Sequence, residues 1–199
     1  GNIIPFALRH PKSRVVGIDL SAVQVASGQA RIAELGIKNA MLKAMNIADS
    51  SAKGSFDYII CHGVYSWVPQ SVQTAILRVC GDYLSDTGVA YISYNTYPGW
   101  KMREIVRDAM MLRASTRTDP GEKLSYARGM LDFIEQVSAP NSAFRKALEE
   151  NLPSVRNGNP YYLHHEFLEL CNSPCYFRDF LGAAEAQHLK NRGNNTANC

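Results

Sequence analysis

The residue best placed to bind a ligand in this 199-residue sequence is Asp19, a carboxylate that ends an apolar run. The run from Val15 to Ile18 predicts a buried parallel strand, which would deliver Asp19 to the carboxyl edge of a sheet. Ligands of open α/β sheets bind at that edge, and an acid there can accept both hydroxyls of a ribose. A strand-end acid can also cap the next helix, so the residues alone leave both roles open.

Two loops rich in aromatic residues follow later strand-like runs. Loop A, His62–Pro69, comes after Phe56–Cys61, and loop B, Asn95–Trp100, comes after Val89–Tyr94. Because the carboxyl ends of parallel strands share one edge, both loops are predicted to lie at the same edge as Asp19.

Four residues of these loops are candidates for catalysis, and three of them have a plainer alternative. His62 could act as a general base or be a hydrogen-bonded loop histidine. Tyr65 and Tyr97 could wall a channel and exclude water, or be core aromatics under the sheet edge. Asn95 could accept a hydrogen bond from an incoming amine or hydroxyl.

The elements that would position these residues follow from the spacing of apolar residues. The predicted strands cover 14–20, 39–45, 56–61 and 89–94, and the predicted helices cover 1–9, 22–35 and 72–84. The second helix is predicted to begin after Ser21 and to bury a stripe formed by Val23, Ala26, Ala30 and Ala33. Asp86–Gly88 is predicted to turn the chain. This order predicts an α/β fold with a Rossmann-like, mostly parallel sheet and right-handed crossovers.

An all-α region is predicted after the sheet, because no strand-like run follows Lys101. Apolar spacing predicts helices over 102–112, 124–137, 144–152, 161–171 and 176–189, with a hinge over 115–121. We therefore predict two domains, 1–115 and 116–199, the second ending in a polar tail over 190–199. The aromatic residues of this region lie at helical spacing, which is typical of a core or of a dimer face, so a homodimer through the helices is left open.

Composition narrows the classes of protein. The net charge of +3 is too small to indicate a nucleic-acid partner, and no apolar run approaches the ~20 residues that span a bilayer, so no membrane partner is expected. The odd number of cysteines, five, fits a reducing compartment, so we expect a cytoplasmic protein. The spacing of Cys171 and Cys175 beside His164 and His165 is not that of a usual zinc site, and no metal is expected.

Loops A and B, with the strands before them, closely resemble one family. The motifs are VGIDLS at 16–21, FDYIICHGVYSWVP at 56–69 and YNTYPGW at 94–100, in that order. They resemble the class I S-adenosylmethionine-dependent methyltransferases of a bacterial group that carries a helical methyltransferase regulatory domain after the catalytic one. The resemblance covers about residues 1–180, and some proteins of the group are similar to lysine methyltransferases acting on outer-membrane proteins.

This resemblance implies S-adenosylmethionine as the cofactor and assigns residues to its parts. Asp19 matches the ribose-binding acid, and Leu20 matches the apolar residue beside the adenine. Asn46 and Ile47 match the position at the adenine edge, where the family more often has an acid. The remaining assigned residues are Gly1 and Asn2, at the end of the glycine-rich motif, and Cys61 and His62, beside the methionyl part.

The family's first strand and leading glycines have no counterpart in this sequence. That strand would lie between the strands that end at Asp19 and Cys61, and without it both would leave backbone groups unpaired. We therefore expect the two strands to close up, or another segment or chain to fill the gap. We also expect these 199 residues to bind S-adenosylhomocysteine weakly or not at all.

The function that the resemblance implies is methyl transfer to an amine or oxygen of a protein or small molecule, with protein lysine as one candidate. Loops A and B and the helices after residue 116 are predicted to select this unknown acceptor. Methyl transfer chiefly needs alignment and desolvation for in-line attack. Two alternatives stay open. One is a nicotinamide-dependent oxidoreductase, although no Tyr-x-x-x-Lys dyad follows the later strands, and the other is a non-catalytic fragment whose helical half mediates assembly.

Overall fold

The computed structural model describes residues 3–50 and 56–191. The strands in these ranges are β1 (Val15–Asp19), β2 (Ala40–Ala44), β3 (Phe56–Cys61) and β4 (Leu84–Ile92). The α-helices are α1 (Ile3–Arg9), α2 (Ala22–Glu34), α3 (Gln70–Tyr83), α4 (Lys101–Ala114), α5 (Pro120–Val137), α6 (Ala143–Asn157), α7 (Pro160–Phe167) and α8 (Phe177–Glu185). Gly1, Asn2 and most of the polar tail lie outside the described residues.

The strands form two pairs. β1 and β2 run parallel in continuous register, from Val15 opposite Ala40 to Asp19 opposite Ala44, and β3 pairs with β4. The predicted α/β class with Rossmann-like parallel pairing is therefore confirmed. Within residues 3–50 and 56–191, β1 and β3 share no ladder, so the expectation that they close up is wrong for this part of the chain. The other expectation, that a further segment or chain fills the gap, stays a prediction.

The chain divides into two compact units. Unit 1 comprises residues 1–61, 70–91 and 183–199, and unit 2 comprises residues 62–69 and 92–182. Loops A and B therefore belong to unit 2, whereas β1, β2 and β3 belong to unit 1. The domain boundary predicted near residue 116 lies inside unit 2, between the packed helices α4 and α5. It stays a prediction.

The β1–β2 pair has its core against α1 and α2. Ala7, Ile32 and Ile37 are buried there, and Val15 and Leu42 pack partly buried against them. These side chains come from four elements, so burying them fixes α1 and α2 relative to the strand pair. The core thereby supports the end of β1, where Asp19 lies.

The buried face of α2 differs from the predicted one. Ser21 caps the helix as predicted, since its Oγ accepts from Gln24 N at 3.3 Å. Val25 and Ile32 are the buried residues, however, and the predicted stripe of Val23, Ala26, Ala30 and Ala33 is exposed. A Cβ on Gly28 would lie 2.4 Å from Leu42 Cδ1, so the face with the glycine packs directly on β2. The prediction was wrong because both stripes have helical spacing and only the packing partner distinguishes them.

α3 buries Ala75, Ile76, Val79 and Cys80, and the next strand begins earlier than predicted. Leu84 starts β4 instead of ending the helix, and Asp86–Gly88 continues β4 instead of turning the chain. The neighbouring strand β3 offers backbone partners along this stretch, and such tertiary pairing overrides the local turn preference. Burial, helped by the nearby Cys61, raises the pKa of the Cys80 thiol on α3 to about 12, so this thiol stays protonated at neutral pH.

Unit 2 is built on the helices after loop B. Its fully buried residues include Val106, Met110, Leu131, Leu148, Leu163 and Phe167. The predicted hinge is shorter than expected, because Asp119 caps α5 through Glu122 N at 2.8 Å and Pro120 is the first helical residue, where proline is favoured. α7 ends at Phe167, four residues before its predicted end. None of the described helices is long and apolar enough to cross a membrane.

Replacing Gly81 by alanine is expected to destabilise the protein by about 1–3 kcal/mol, because a Cβ on this residue of α3 would lie 2.4 Å from the backbone oxygen of Gln187. Gly129 in α5 is the matched control, since a Cβ there meets nothing within 4 Å. Gly129→Ala is expected to stabilise by about 0.5–1 kcal/mol through helix propensity. Urea denaturation measures both changes, and effects of the same sign would contradict this packing.

Candidate functional site

Unit 1 presents Asp19 at the carboxyl end of β1, where the sequence predicts it. Its Oδ1 accepts from Ser21 N at 2.8 Å, so the carboxylate does cap α2. Its Oδ2 has no hydrogen-bond partner in the described part of the chain, and the residue is exposed. The capping role and the ribose-binding role are therefore compatible, because each uses a different oxygen.

Leu20, Asn46 and Ile47 lie at the same edge of the β1–β2 pair. The ladder ends with Asp19 opposite Ala44, and Met45 N donates to Asp19 O at 3.0 Å. Asn46 Oδ1 accepts from Ala48 N at 3.0 Å, which fixes the amide at the start of a short 3-10 turn. Because an amide oxygen has two lone pairs, Asn46 can still accept a second hydrogen bond.

This edge fits the adenosyl group that the sequence predicts as a ligand. Asp19 supplies an open carboxylate oxygen for a ribose diol, and Leu20 supplies an apolar side chain that is 77% exposed. Asn46 supplies a fixed amide for a base edge. Cys61 ends β3 in unit 1, and the next residue, His62, begins unit 2. Gly1 and Asn2 lie outside the described residues.

Loops A and B meet in unit 2 around a cavity of about 140 Å³. The cavity is lined by Gly63, Ser66, Trp67, Ser93, Tyr94 and Asn95. Gly63 has φ +69°, a backbone conformation that favours glycine, so loop A turns sharply after β3. Gly63 N donates to Ser93 Oγ at 2.8 Å, and His62 Nδ1 lies 3.0 Å from the same oxygen. Ser93 thereby holds the beginning of loop A beside loop B.

Ser66 ties the loops together from inside. The residue is 1% exposed, and its Oγ accepts from Asn95 N at 2.8 Å. Its carbonyl oxygen accepts from Ser173 N at 2.7 Å. One buried serine therefore connects loop A, loop B and a third segment that lies more than 70 residues further along the chain.

That third segment, residues 172–175, is part of the site and was missed by the sequence analysis. Cys175 N donates to Asn95 O at 3.2 Å, and Tyr97 N donates to Cys175 O at 3.1 Å, so the segment pairs with loop B as a short strand would. The available signal was weak: the segment lies between two predicted helices and contains Pro174, which interrupts a helix.

Several polar atoms near these loops are buried without a partner among the described residues. They are Asn95 Nδ2, Trp100 Nε1, and both Nδ2 and Oδ1 of Asn172. An unsatisfied buried polar group costs about 1–3 kcal/mol, so a cluster of them indicates a place where a bound molecule or water completes the hydrogen bonding.

Tyr65 lies in an aromatic cluster and not on an open surface. It is 3% exposed, and its ring contacts those of Tyr94 and Phe180 edge-on, at centroid distances of 6.0 and 5.3 Å. Burial, with smaller effects of Cys175 and Tyr65, raises the pKa of Tyr94 to about 12, so the Tyr94 hydroxyl stays neutral. Any part that Tyr65 plays in the site is therefore played through the packing of its neighbours.

Tyr97 belongs to a charged cluster at the start of α4. Its hydroxyl donates to Glu104 Oε1 at 2.5 Å, and Lys101 Nζ donates to Glu104 Oε2 at 2.5 Å. Burial and the bond to Glu104 raise the pKa of Tyr97, and the same carboxylate raises the pKa of Lys101. Burial works to raise the pKa of Glu104, but the bonds from Lys101 and Tyr97 outweigh it and lower that pKa. At neutral pH the cluster thus holds a phenol, an ammonium and a carboxylate.

Comparison with known proteins agrees with this arrangement. A family model for a methyltransferase domain matches residues 1–90. The chain is 37% identical over 191 residues to the uncharacterised protein RP028 of Rickettsia prowazekii (strain Madrid E), covering 95% of this chain and 76% of that protein. It also matches the structure of PKMT2 from Rickettsia typhi in complex with AdoHcy, with 38% identity and a TM-score of 0.82. The chain belongs to the class I methyltransferases.

This methyltransferase chain spans about a third of the length of its larger relatives. It covers 35% of protein RP789 of Rickettsia prowazekii, to which it is 37% identical over 192 residues and 96% of its own length. A second structure of PKMT2 from Rickettsia typhi has 38% identity and a TM-score of 0.81, with 95% of this chain matching 36% of that one. Within residues 3–50 and 56–191, no group of three or more His, Cys, Asp or Glu residues is placed to hold a metal ion.

Ser66→Ala is expected to destabilise this methyltransferase by about 1–3 kcal/mol, because it leaves the Asn95 N–H without its buried acceptor. Ser173→Ala is the matched control, since Ser173 joins the site through its backbone N–H, which the substitution keeps. Thermal and urea denaturation measure the difference between the two variants. Equal stability of both would show that the Ser66 hydroxyl does not hold loop B.

Proposed function

We propose that this methyltransferase moves the methyl group of S-adenosylmethionine to an amine or oxygen acceptor, with protein lysine as one acceptor class. The main supporting observation is the cavity in unit 2, whose wall comes from loops A and B, the motifs by which the sequence resembles the family. The AdoHcy bound to the similar protein PKMT2 supports the same cofactor here. Neither the cavity nor the family gives such support to the nicotinamide alternative.

Unit 1 would hold the adenosyl part of the cofactor. Oδ2 of Asp19 accepts from the ribose hydroxyls while Oδ1 continues to cap α2. Leu20 and Ile47 contact the adenine, and the Asn46 amide bonds to its edge. The resemblance assigns Gly1, Asn2, Cys61 and His62 to the rest of the cofactor. When bound, the cofactor supplies an electrophilic methyl group on a positively charged sulfur.

The cavity in unit 2 would hold the acceptor group. Asn95 is fixed there by backbone bonds to Ser66 and Cys175, so its side-chain amide has a defined direction for bonding to an amine or hydroxyl. Trp67 and Tyr94 line the cavity and exclude water, which favours attack by a neutral nucleophile. Ser93 orients His62 through the contact at Nδ1. Tyr65 supports Tyr94 from within the aromatic cluster.

The helices after residue 116 would form the regulatory region that the resemblance implies. They carry exposed apolar side chains that include Tyr161 and Val137, a composition that suits contact with an acceptor protein or a second copy of the chain. Cys61, Cys80, Cys171 and Cys175 are free thiols, which supports a reducing, cytoplasmic location. We propose no nucleic-acid partner and no metal.

Asp19→Ala in the complete protein is expected to weaken S-adenosylhomocysteine binding by roughly 10- to 150-fold, because charge-assisted bonds to two hydroxyls contribute about 1.5–3 kcal/mol. Asp19→Asn retains an oxygen for the Ser21 cap and separates the loss of the charge from the loss of the cap. Asp86→Ala, at an exposed aspartate of β4, is the control. Calorimetry measures the three affinities, and unchanged binding by Asp19→Ala would contradict the ribose assignment.

Asn95→Ala is expected to lower methyl transfer at least ~10-fold, about 1.4 kcal/mol of transition-state stabilisation, while S-adenosylmethionine affinity stays within about twofold. The reason is that the lost amide would bond the acceptor and not the cofactor. Asn141→Ala, at an exposed asparagine of the same unit, is the control. Initial rates and calorimetry test this together, and parallel losses of rate and cofactor affinity would instead assign loop B to the cofactor pocket.

A further inference from the structure

An ammonium group already lies in a small cage beside loop B. Lys101 Nζ is 4.2 Å from the centroid of the Tyr97 ring and donates to Glu104 Oε2 at 2.5 Å. The Tyr97 hydroxyl donates to the other oxygen of the same carboxylate, also at 2.5 Å. The cation therefore meets an aromatic face and a carboxylate together, which is how proteins recognise amino groups.

Local helix energetics do not account for the position of Lys101. It is the first residue of α4, where the helix dipole disfavours a cation, and exposed ion pairs three residues apart contribute little. Glu104, in contrast, is suited to the first turn, and its side chain is only 25% exposed. The carboxylate is thus the less exposed part of the cage, whereas the Lys101 side chain is 55% exposed.

A second aromatic ring lies beside Tyr97. The Tyr176 ring lies 5.4 Å from the Tyr97 ring, and Tyr176 is 49% exposed. Both tyrosines are held by the pairing of the 172–175 segment with loop B, since Cys175 accepts from Tyr97 N and directly precedes Tyr176. The same pairing fixes Asn95, so the cage and the cavity wall share one backbone support.

We propose that Tyr97, Glu104 and Tyr176 form a binding site for the ammonium form of the acceptor's amino group, and that Lys101 occupies this site until an acceptor displaces it. The inference rests on the proposed function and adds to it a specificity-determining residue, Glu104, and an internal competitor, Lys101. It implies that acceptors are selected as cations before the methyl-transfer step.

The fraction of time for which Lys101 occupies the cage sets the expected change in affinity for an external amine. The apparent affinity for an external amine falls by the fraction of molecules in which the site is open, so a Lys101 that occupies the cage nine-tenths of the time weakens binding ~10-fold. Removing the Lys101 amino group should raise the affinity for the amine by the same factor. Removing the Glu104 charge should abolish amine binding both in the wild type and in the Lys101 variant.

The test uses Nα-acetyl-lysine methylamide as the probe and follows the ring resonances of Tyr97 by NMR. Lys101→Met is expected to bind the probe ~10-fold more tightly than the wild-type protein. The matched control is Lys146→Met, at an exposed lysine of α6, which should bind like the wild type. Adding Glu104→Gln to Lys101→Met should abolish binding, and the Nε-acetylated probe, which has no charge, should not bind any variant.

Each result decides the inference. Equal affinity of Lys101→Met and Lys146→Met would overturn it and leave a surface ion pair, as would retained binding in the Glu104→Gln variant or binding of the uncharged probe. Melting temperatures of all variants exclude misfolding as the cause. S-adenosylhomocysteine binding by the complete protein separates this test from the proposed function: its absence there would argue against that function, whereas the cage is judged on the probe alone.

Discussion

The buried hydroxyl and carbonyl of Ser66 connect the parts of the site in unit 2. Loop B and the 172–175 segment pair directly, and Ser66 connects loop A to both of them through its bonds to Asn95 N and Ser173 N. Both bonds of Ser66 lie inside the protein. A group that loses its partner there has no water molecule to bond instead, so the loss is costly. The cavity wall and the direction of the Asn95 amide depend on this connection, whereas the two cage tyrosines are held by the pairing of the 172–175 segment with loop B.

The two units present different kinds of chemical groups to a ligand. Unit 1 offers a strand end with an open carboxylate oxygen, an exposed apolar side chain and a fixed amide, which suit a nucleoside. Unit 2 offers aromatic walls, unsatisfied buried amides and a carboxylate that already holds an amine. Such unsatisfied groups reduce the stability of the free protein, and a ligand that bonds them recovers that free energy on binding.

Sequence reasoning succeeded where a local pattern is enough and failed where a distant partner decides. The end of β1, the cap at Ser21 and the proximity of the two loops follow from apolar runs, capping preferences and the shared edge of parallel strands. The buried face of α2 could not be predicted, because Gly28 matters only once Leu42 is opposite it. Residues 172–175 were missed for the same reason, since no spacing in the chain encodes the pairing of loop B with a segment so far away.

Cys80 provides a chemical probe of how α3 moves. Thiol reagents attack the thiolate, and this thiol is completely buried with a pKa of about 12, so it cannot be alkylated while α3 stays packed. Labelling therefore requires a transient opening of unit 1, and its rate reports the free energy of that opening. Cys171 and Cys175, which are only partly buried, report on unit 2 in the same experiment. Mass spectrometry of pulse-labelled protein can thus time the opening of unit 1 separately from that of unit 2.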